Sequence, residues 1–217
     1  MTPASLVHSA TSLAPVPFVP EISLYQADDI YAIWELTERA LGQTDLPPPF
    51  WSVAWPGGQA LARYLLDHPG LVTGRTVLDV GSGSGLVAIA AARAGAAVVV
   101  AAEPDPLAAA AIAMNAAAND VPVPVCIGEA FGAGVRAEAI VAGDVWYERE
   151  LADQVGAYLD EAAAAGADVL TGDIGRRYFP RGRYCRVASY DIPASVALEG
   201  RQLLVASVWR AMSSKQA

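Results

Sequence analysis

The sequence predicts an α/β fold in which a doubly wound parallel sheet ends in a C-terminal antiparallel hairpin. Three observations point there. Val77-Leu78-Asp79-Val80-Gly81-Ser82-Gly83-Ser84-Gly85 runs from an apolar strand pattern through alternating glycines into a helical pattern, Leu86 to Arg93. From Thr76 onward, apolar runs alternate with helical segments, which is the arrangement of a parallel sheet covered on both faces. After Gly172 that alternation stops, and Tyr184 to Tyr190 and Leu203 to Arg210 read as two strands with no convincing helix between them.

The elements follow in order. Asp28 or Asp29 caps a helix whose apolar face holds Ile30, Ile33, Trp34, Leu36 and Leu41, ending near Gly42. Leu46-Pro47-Pro48-Pro49-Phe50 is extended, because proline denies helix to itself and to its predecessor. Gly57-Gly58 open a second helix that runs to about Asp67, followed by the turn His68-Pro69-Gly70. Strands are expected near 76–80, 97–103, 122–127, 138–143 and 167–172, and helices over 84–93, 106–118 and 149–164. No internal repeat is visible.

Composition bounds the function. The chain has 217 residues, enough for one domain with a full core. It is 54% hydrophobic and 17% charged, which excludes overall disorder. A net charge of −9 argues against nucleic acid as partner, since phosphate neutralisation needs a basic face, and suits a basic or neutral substrate. The apolar stretch Leu86 to Ala102 is interrupted by Arg93 and Gly95, so it reads as helix, turn and strand and not as a membrane span. Cys126 and Cys185 are too few for a disulfide framework, which points to a reducing compartment. Residues 1–20 lack the pattern of a signal peptide. With Pro15, Pro17 and Pro20 they are expected to form a flexible arm, leaving 21–217 as a single domain with an N-terminal helical extension. A cytoplasmic location is the expectation. Arg176, Arg177, Arg181, Arg183 and Arg186 cluster late in the chain, as a solvated loop or as a partner patch.

The glycine turn carries the chemistry. A strand, a glycine turn and a helix start allow backbone to approach a ligand closely, and the helix N-terminus presents free N–H groups. A dinucleotide fingerprint needs its third glycine at the position of Leu86. Asp79-x-Gly81-x-Gly83-x-Gly85 is instead similar to the first motif of the class I methyltransferases, which bind S-adenosylmethionine. Asp79, Gly81, Ser82, Gly83 and Gly85 are therefore candidate cofactor residues. In an open α/β sheet, ligands bind outside the carboxyl ends of strands where the strand order reverses. Glu103 ends the second strand there, and its ionised carboxylate accepts ribose hydroxyls; the alternative is that it caps the next helix, as Asp105 could. Glu129, after the third strand, is placed to reach the adenine amino group or to sit in an exposed turn. Gly143 closes the fourth strand, ahead of Asp144-Val145-Trp146-Tyr147.

Further segments carry a resemblance. Pro49-Phe50-Trp51-Ser52-Val53-Ala54-Trp55-Pro56-Gly57-Gly58-Gln59, continuing to Asp67, resembles the segment before the glycine motif in the electron transfer flavoprotein beta subunit lysine methyltransferase family. Gly143-Asp144-Val145-Trp146-Tyr147 is similar to that family's Asp-x-Phe-Tyr signature, with Trp146 in place of Phe. Gly172-Asp173-Ile174-Gly175-Arg176 and Ser207-Val208-Trp209 resemble it too. The similarity spans roughly residues 19 to 210. It implies a Rossmann-like, seven-stranded class I methyltransferase sheet, S-adenosylmethionine as cofactor with S-adenosylhomocysteine as product, and a flavoprotein subunit presenting lysine as partner.

The residues fit such a reaction. In-line methyl transfer needs no metal, and alignment of donor and nucleophile supplies most of the rate. A lysine amine, with a reference pKa of about 10.4, must lose a proton before it attacks. An aromatic, water-poor pocket lowers that pKa and still accommodates the cation against ring faces. Trp146 and Tyr147 are the candidate walls. Asp144 is the candidate that orients the ammonium, ahead of any role as base, because a carboxylate also raises an amine's pKa. Trp55 and Gly57 are expected to cover the cofactor, with core packing the alternative for Trp55 and Trp51. Methylation of a small molecule, or cofactor binding without catalysis, are the competing readings.

Overall fold

The computed structural model describes residues 2–128, 131, 134–194 and 196–212. In chain order the elements are α1 (Pro3–Ala10), β1 (Ser12–Val16), β2 (Val19–Gln26), α2 (Ile30–Leu41), α3 (Pro56–Asp67), β3 (Thr76–Val80), α4 (Leu86–Arg93), β4 (Val98–Glu103), α5 (Pro106–Ala118), β5 (Val125–Ile127), β6 (Ala139–Gly143), α6 (Arg149–Ala164), β7 (Asp168–Asp173), β8 (Tyr184–Pro193), α7 (Val196–Glu199) and β9 (Leu203–Ala211). Seven strands form one sheet in the order β5-β4-β3-β6-β7-β9-β8. The first five run parallel, and β9 pairs antiparallel with both β7 and β8. Strand order reverses at β3, between β4 and β6, so the crevice for a ligand lies over the carboxyl ends of these strands.

Alternation along the strands divides the core. Val77, Val99, Ala101, Val141 and Leu170 join one cluster with Leu61 and Leu65 of α3, Ile89 of α4 and Ile112 of α5. Leu78, Val80, Ile140, Ala142 and Val169 face the other way, against Val155 and Leu159 of α6 and the rings of Trp146, Phe179 and Tyr184. Each fully buried side chain of this size contributes about 1.5–3 kcal/mol. Both faces are covered, as expected.

The N-terminal arm is the main correction. Residues 2–20 do not hang loose: α1 and the hairpin β1–β2 occupy them, and Val7, Val16 and Val19 are fully buried. Polar side chains of α5 fasten the hairpin. Asn115 Oδ1 accepts the Tyr25 N–H at 2.7 Å, and Asn119 pairs with both backbone groups of Ser23. The prolines fit because Pro17 lies in the turn and Pro15 and Pro20 lie in β1 and β2, both edges of a two-stranded sheet.

Smaller differences have local causes. Strand β5 starts only at Val125 because Pro122 and Pro124 have no N–H to donate. Helix α4 starts at Leu86 because Gly85 is left-handed, with φ +81°. The four-residue helix α7 lies between the final strands, where none was expected. Asp29 caps α2 as expected, through bonds from the N–H groups of Tyr31 and Ala32, and Gly42 ends it. Leu41, expected on the apolar face, is 49% exposed. Among the described residues, no helix is long and apolar enough to cross a membrane.

Candidate active site

The turn after β3 is built for close approach. Gly81, Gly83 and Gly85 all have positive φ. A Cβ on Gly81 would meet Val145 Cγ1 at 3.0 Å and one on Gly85 would meet Ile112 Cγ2 at 3.1 Å, whereas one on Gly83 meets nothing within 4 Å. A side chain is therefore barred at exposed Gly81 and at buried Gly85, and Gly83 has open space where its Cβ would be. Glu103 lies beside it: its Oε2 accepts the Gly83 N–H at 2.8 Å and its Oε1 the Asp105 N–H at 3.1 Å. The α5 cap is Asp105, through Leu107 N–H, so Glu103 is not spent on capping that helix. Burial raises the Glu103 pKa above its ordinary value. Each carboxylate oxygen keeps lone-pair capacity for a hydroxyl. A Cβ-free cradle at a helix N-terminus with an acceptor carboxylate at its edge fits the adenosine part of S-adenosylmethionine.

Asp79 has a different place from the one expected. It is 1% exposed, and its Oδ2 accepts Ser82 Oγ–H at 2.6 Å and Ala88 N–H at 3.0 Å. It thus ties the glycine turn to the first turn of α4 from below. Burial pushes its carboxyl up to about 7. Ser82 is half-buried in this tie. Glu129 lies outside the described residues.

A second constellation stands over the ends of β6 and β7. Asp144 has φ +56°, its N–H donates to Gly172 O at 2.9 Å, and its Oδ2 accepts the Gly58 N–H at 2.7 Å. Glycines make this contact possible. A Cβ on Gly57 would meet Gly172 O at 2.6 Å and Asp144 Oδ2 at 2.7 Å, and one on Gly143 would meet Gly58 Cα at 2.9 Å. The N-terminus of α3 therefore rests directly on the two strand ends, where its free N–H groups and dipole favour a carboxylate. Burial pushes the Asp144 carboxyl up to about 7; the Gly58 N–H and Arg176 act against this, and Asp173 and Glu199 reinforce it.

Aromatic rings form the rim, though not the pair expected. Trp146 is fully buried, donates from Nε1 to Thr171 Oγ1 at 2.9 Å and packs edge-on against Phe179 and Tyr184. It belongs to the core beside α6 and forms no wall of an open site. Tyr147 is 43% exposed and meets Phe50 at 5.2 Å between centroids, and Phe50 meets Trp55 at 5.7 Å. Burial also raises the Tyr147 pKa. Trp55 Nε1 donates to Phe50 O at 2.8 Å, and the Arg176 guanidinium lies 5.9 Å over the Trp55 ring. Tyr147, Phe50 and Trp55 are thus the aromatic series, and packing is the role only of Trp51, at 2% exposure. Trp55, Pro56 and Glu199 also line a cleft of about 580 Å³ that reaches Ala27, Asp28 and Asp29.

Three residues absent from the expected set complete this end. Asp173 closes β7 and accepts the N–H groups of Gly175 and Arg176 through Oδ1. Arg176 pairs with Glu199 at 2.7 Å. The late arginines do not act together: Arg183 pairs with Asp160, Arg177 lies over Tyr178 and Arg186 over Trp209, while Arg176 and Arg181 bear on Asp173. Phe50 and Asp173 sit in segments whose resemblance was visible, but only the fold brings them to Asp144. Among the described residues, no group of acidic, His or Cys side chains could hold a metal.

Comparison with known proteins bears on the family and the fold. Residues 60–143 match the family model described as ribosomal protein L11 methyltransferase (PrmA). The electron transfer flavoprotein beta subunit lysine methyltransferase of Rattus norvegicus is 38% identical over 200 residues, covering 88% of this chain and 76% of the relative. That of Xenopus laevis is 35% identical, covering 95% and 86%, and that of Danio rerio 42% identical, covering 76% and 66%. Among solved structures, an RNA methyltransferase from Salinibacter ruber in complex with S-adenosyl-L-homocysteine superposes with a TM-score of 0.51 at 23% identity, covering 73% of this chain and 94% of that one. A precorrin-6y C5,15-methyltransferase from Geobacter metallireducens gives 0.52 at 16% identity, covering 72% and 89%. At these identities the structures speak to the fold.

Proposed function

The chain belongs to the electron transfer flavoprotein beta subunit lysine methyltransferase family and is an S-adenosylmethionine-dependent methyltransferase; from that premise we propose that it methylates a lysine side chain on the electron transfer flavoprotein beta subunit or a similar protein. The observation that carries this reading is Asp144, a buried carboxylate with one oxygen bound to Gly58 N–H and the other free, behind the rim of Tyr147, Phe50 and Trp55. A cationic amine is the ligand that such a set receives.

When bound, S-adenosylmethionine supplies an electrophilic methyl on a sulfonium, which departs with its bonding pair on sulfur as neutral S-adenosylhomocysteine. The chain's residues hold and orient. The glycine turn at Gly81–Gly85 receives the nucleoside, and Glu103 accepts its ribose hydroxyls. Trp55 closes over it from the start of α3, while Gly57 lets that helix rest on Gly172 and Asp144. Asp144 fixes the incoming amine in line, which is where most of the rate arises. With its carboxyl near 7, Asp144 can also take a proton from the ammonium at neutral pH. Tyr147 and Phe50 shield the amine from water and lower its pKa.

The test is incubation of the protein with radiolabelled methyl donor and a host lysate, then electrophoresis. A labelled protein band is expected. Label confined to a small-molecule extract would replace this reading with small-molecule methylation.

A further inference from the structure

We propose that Asp173 is a second ammonium-binding carboxylate, which together with Asp144 receives the substrate's cationic amine between the ends of β6 and β7. The proposal rests on the reading of an amine acceptor above, and it adds a residue and a geometry to it.

The two carboxylates are neighbours by construction. Gly143 and Gly172 are register partners in the parallel pair of β6 and β7, and Asp144 and Asp173 follow them. Adjacent strands lie about 4.8 Å apart. Each aspartate uses one oxygen and leaves the other free. Asp144 Oδ2 is held by Gly58 N–H and Asp173 Oδ1 by Gly175 and Arg176 N–H, while Asp144 Oδ1 and Asp173 Oδ2 are buried without a partner. Their exposures are 7% and 1%. A buried polar atom without a partner is rare and destabilising, so two in one place require a cause.

A cation inside the chain would be the simplest cause, and the nearest one is turned elsewhere. Arg176 directs its guanidinium to Glu199 and over Trp55. Arg176 acts on both carboxylates through space and Arg181 acts on Asp173, yet neither bonds the two free oxygens. A primary ammonium suits the two free oxygens because it carries three N–H donors on a compact head. Two of these donors satisfy the two free oxygens and fix the nitrogen's direction. Asp144 takes one proton from the ammonium, and rotation about the Cε–Nζ bond then turns the freed lone pair to the methyl while the remaining N–H groups donate to the pair.

Asp173→Asn separates this role from the structural one. The amide keeps an oxygen for the Gly175 and Arg176 N–H groups, so the turn and the fold survive. At the other position it places a donor where the ammonium needs an acceptor. The probes are S-adenosylhomocysteine and sinefungin, an analogue in which a carbon bearing an amine replaces the methylated sulfur. Calorimetry is expected to show sinefungin weakened about tenfold or more, as for a lost charge-assisted hydrogen bond, and S-adenosylhomocysteine unchanged within about twofold. On protein substrate kcat/KM should fall by a similar factor with the KM for S-adenosylmethionine unaltered. Unchanged sinefungin affinity, or parallel weakening of both ligands, would overturn the assignment. If the unmutated protein bound neither ligand, the cofactor reading beneath it would fall as well.

Discussion

Asp144 Oδ2 and the backbone N–H of Gly58 meet at 2.7 Å, joining the end of a sheet strand to the first turn of α3 across 86 residues of sequence. That bond lets one carboxylate seat the Trp55-Pro56-Gly57-Gly58 segment over the sheet and keep its other oxygen for the amine acceptor proposed above.

The two roles of Asp144 separate by substitution. Asp144→Asn keeps an oxygen for Gly58 N–H, so melting temperature and cofactor affinity should hold while methyl transfer falls by about 10² or more. Asp144→Ala leaves a buried N–H unpaired and should in addition cost about 1–3 kcal/mol of stability. Normal methylation by the Asn variant would remove Asp144 from the chemistry.

The glycines divide in the same way. Gly57→Ala places a Cβ 2.6 Å from Gly172 O, backbone that cannot yield, and should destabilise by about 1–3 kcal/mol or more in thermal unfolding. Gly83→Ala meets no neighbour within 4 Å and bears only the strain of φ +53°, about 1–2 kcal/mol. Its larger effect should be on S-adenosylmethionine affinity, read by calorimetry, because its open side faces the ligand.

Trp146 and Tyr147 are adjacent in sequence and opposite in role. Trp146→Phe should lose about 1–3 kcal/mol of stability, through its hydrogen bond to Thr171 and its packing, with kcat/KM nearly unchanged. Tyr147→Ala should do the reverse, lowering kcat/KM about tenfold with little change in melting temperature. The opposite pattern would restore Trp146 to the site.

Buried acids set a pH dependence of stability. Asp79 and Asp144 titrate near 7 in the folded protein, against 3.8 for an ordinary aspartate. Between about pH 4 and 7 the folded state therefore binds more protons than the unfolded one, so stability falls as pH rises through that window and levels off above it. Melting temperature without ligand should decline over this range. Asp79→Asn should flatten the decline, because the amide oxygen keeps an acceptor for Ser82 and Ala88 without titrating. A decline as steep as that of the unmutated protein would show that Asp79 is not among its sources.

What sequence could and could not reveal follows from the range of the forces involved. The cap at Asp29, the glycine turn and the periods of β3, β4, β6 and α6 are local or periodic, and all were readable. The N-terminal hairpin was not, because its edge is held by Asn115 and Asn119, some 90 residues away. Prolines that break a central strand are harmless in an edge strand, and composition does not tell the two apart. In the site, Glu103 and Asp144 were readable as polar residues at strand ends. Trp146 was misplaced because alternation after a strand end no longer says which way a ring points. Asp173 was passed over because its partner Asp144 lies on another strand.

The most direct measurement is tandem mass spectrometry of purified electron transfer flavoprotein beta subunit after incubation with this protein and S-adenosylmethionine. The expected result is a lysine side chain carrying added methyl groups, absent when Asp144→Asn replaces the unmutated protein. An unmodified subunit, with donor consumed only by a small-molecule fraction, would contradict the assignment of lysine as acceptor.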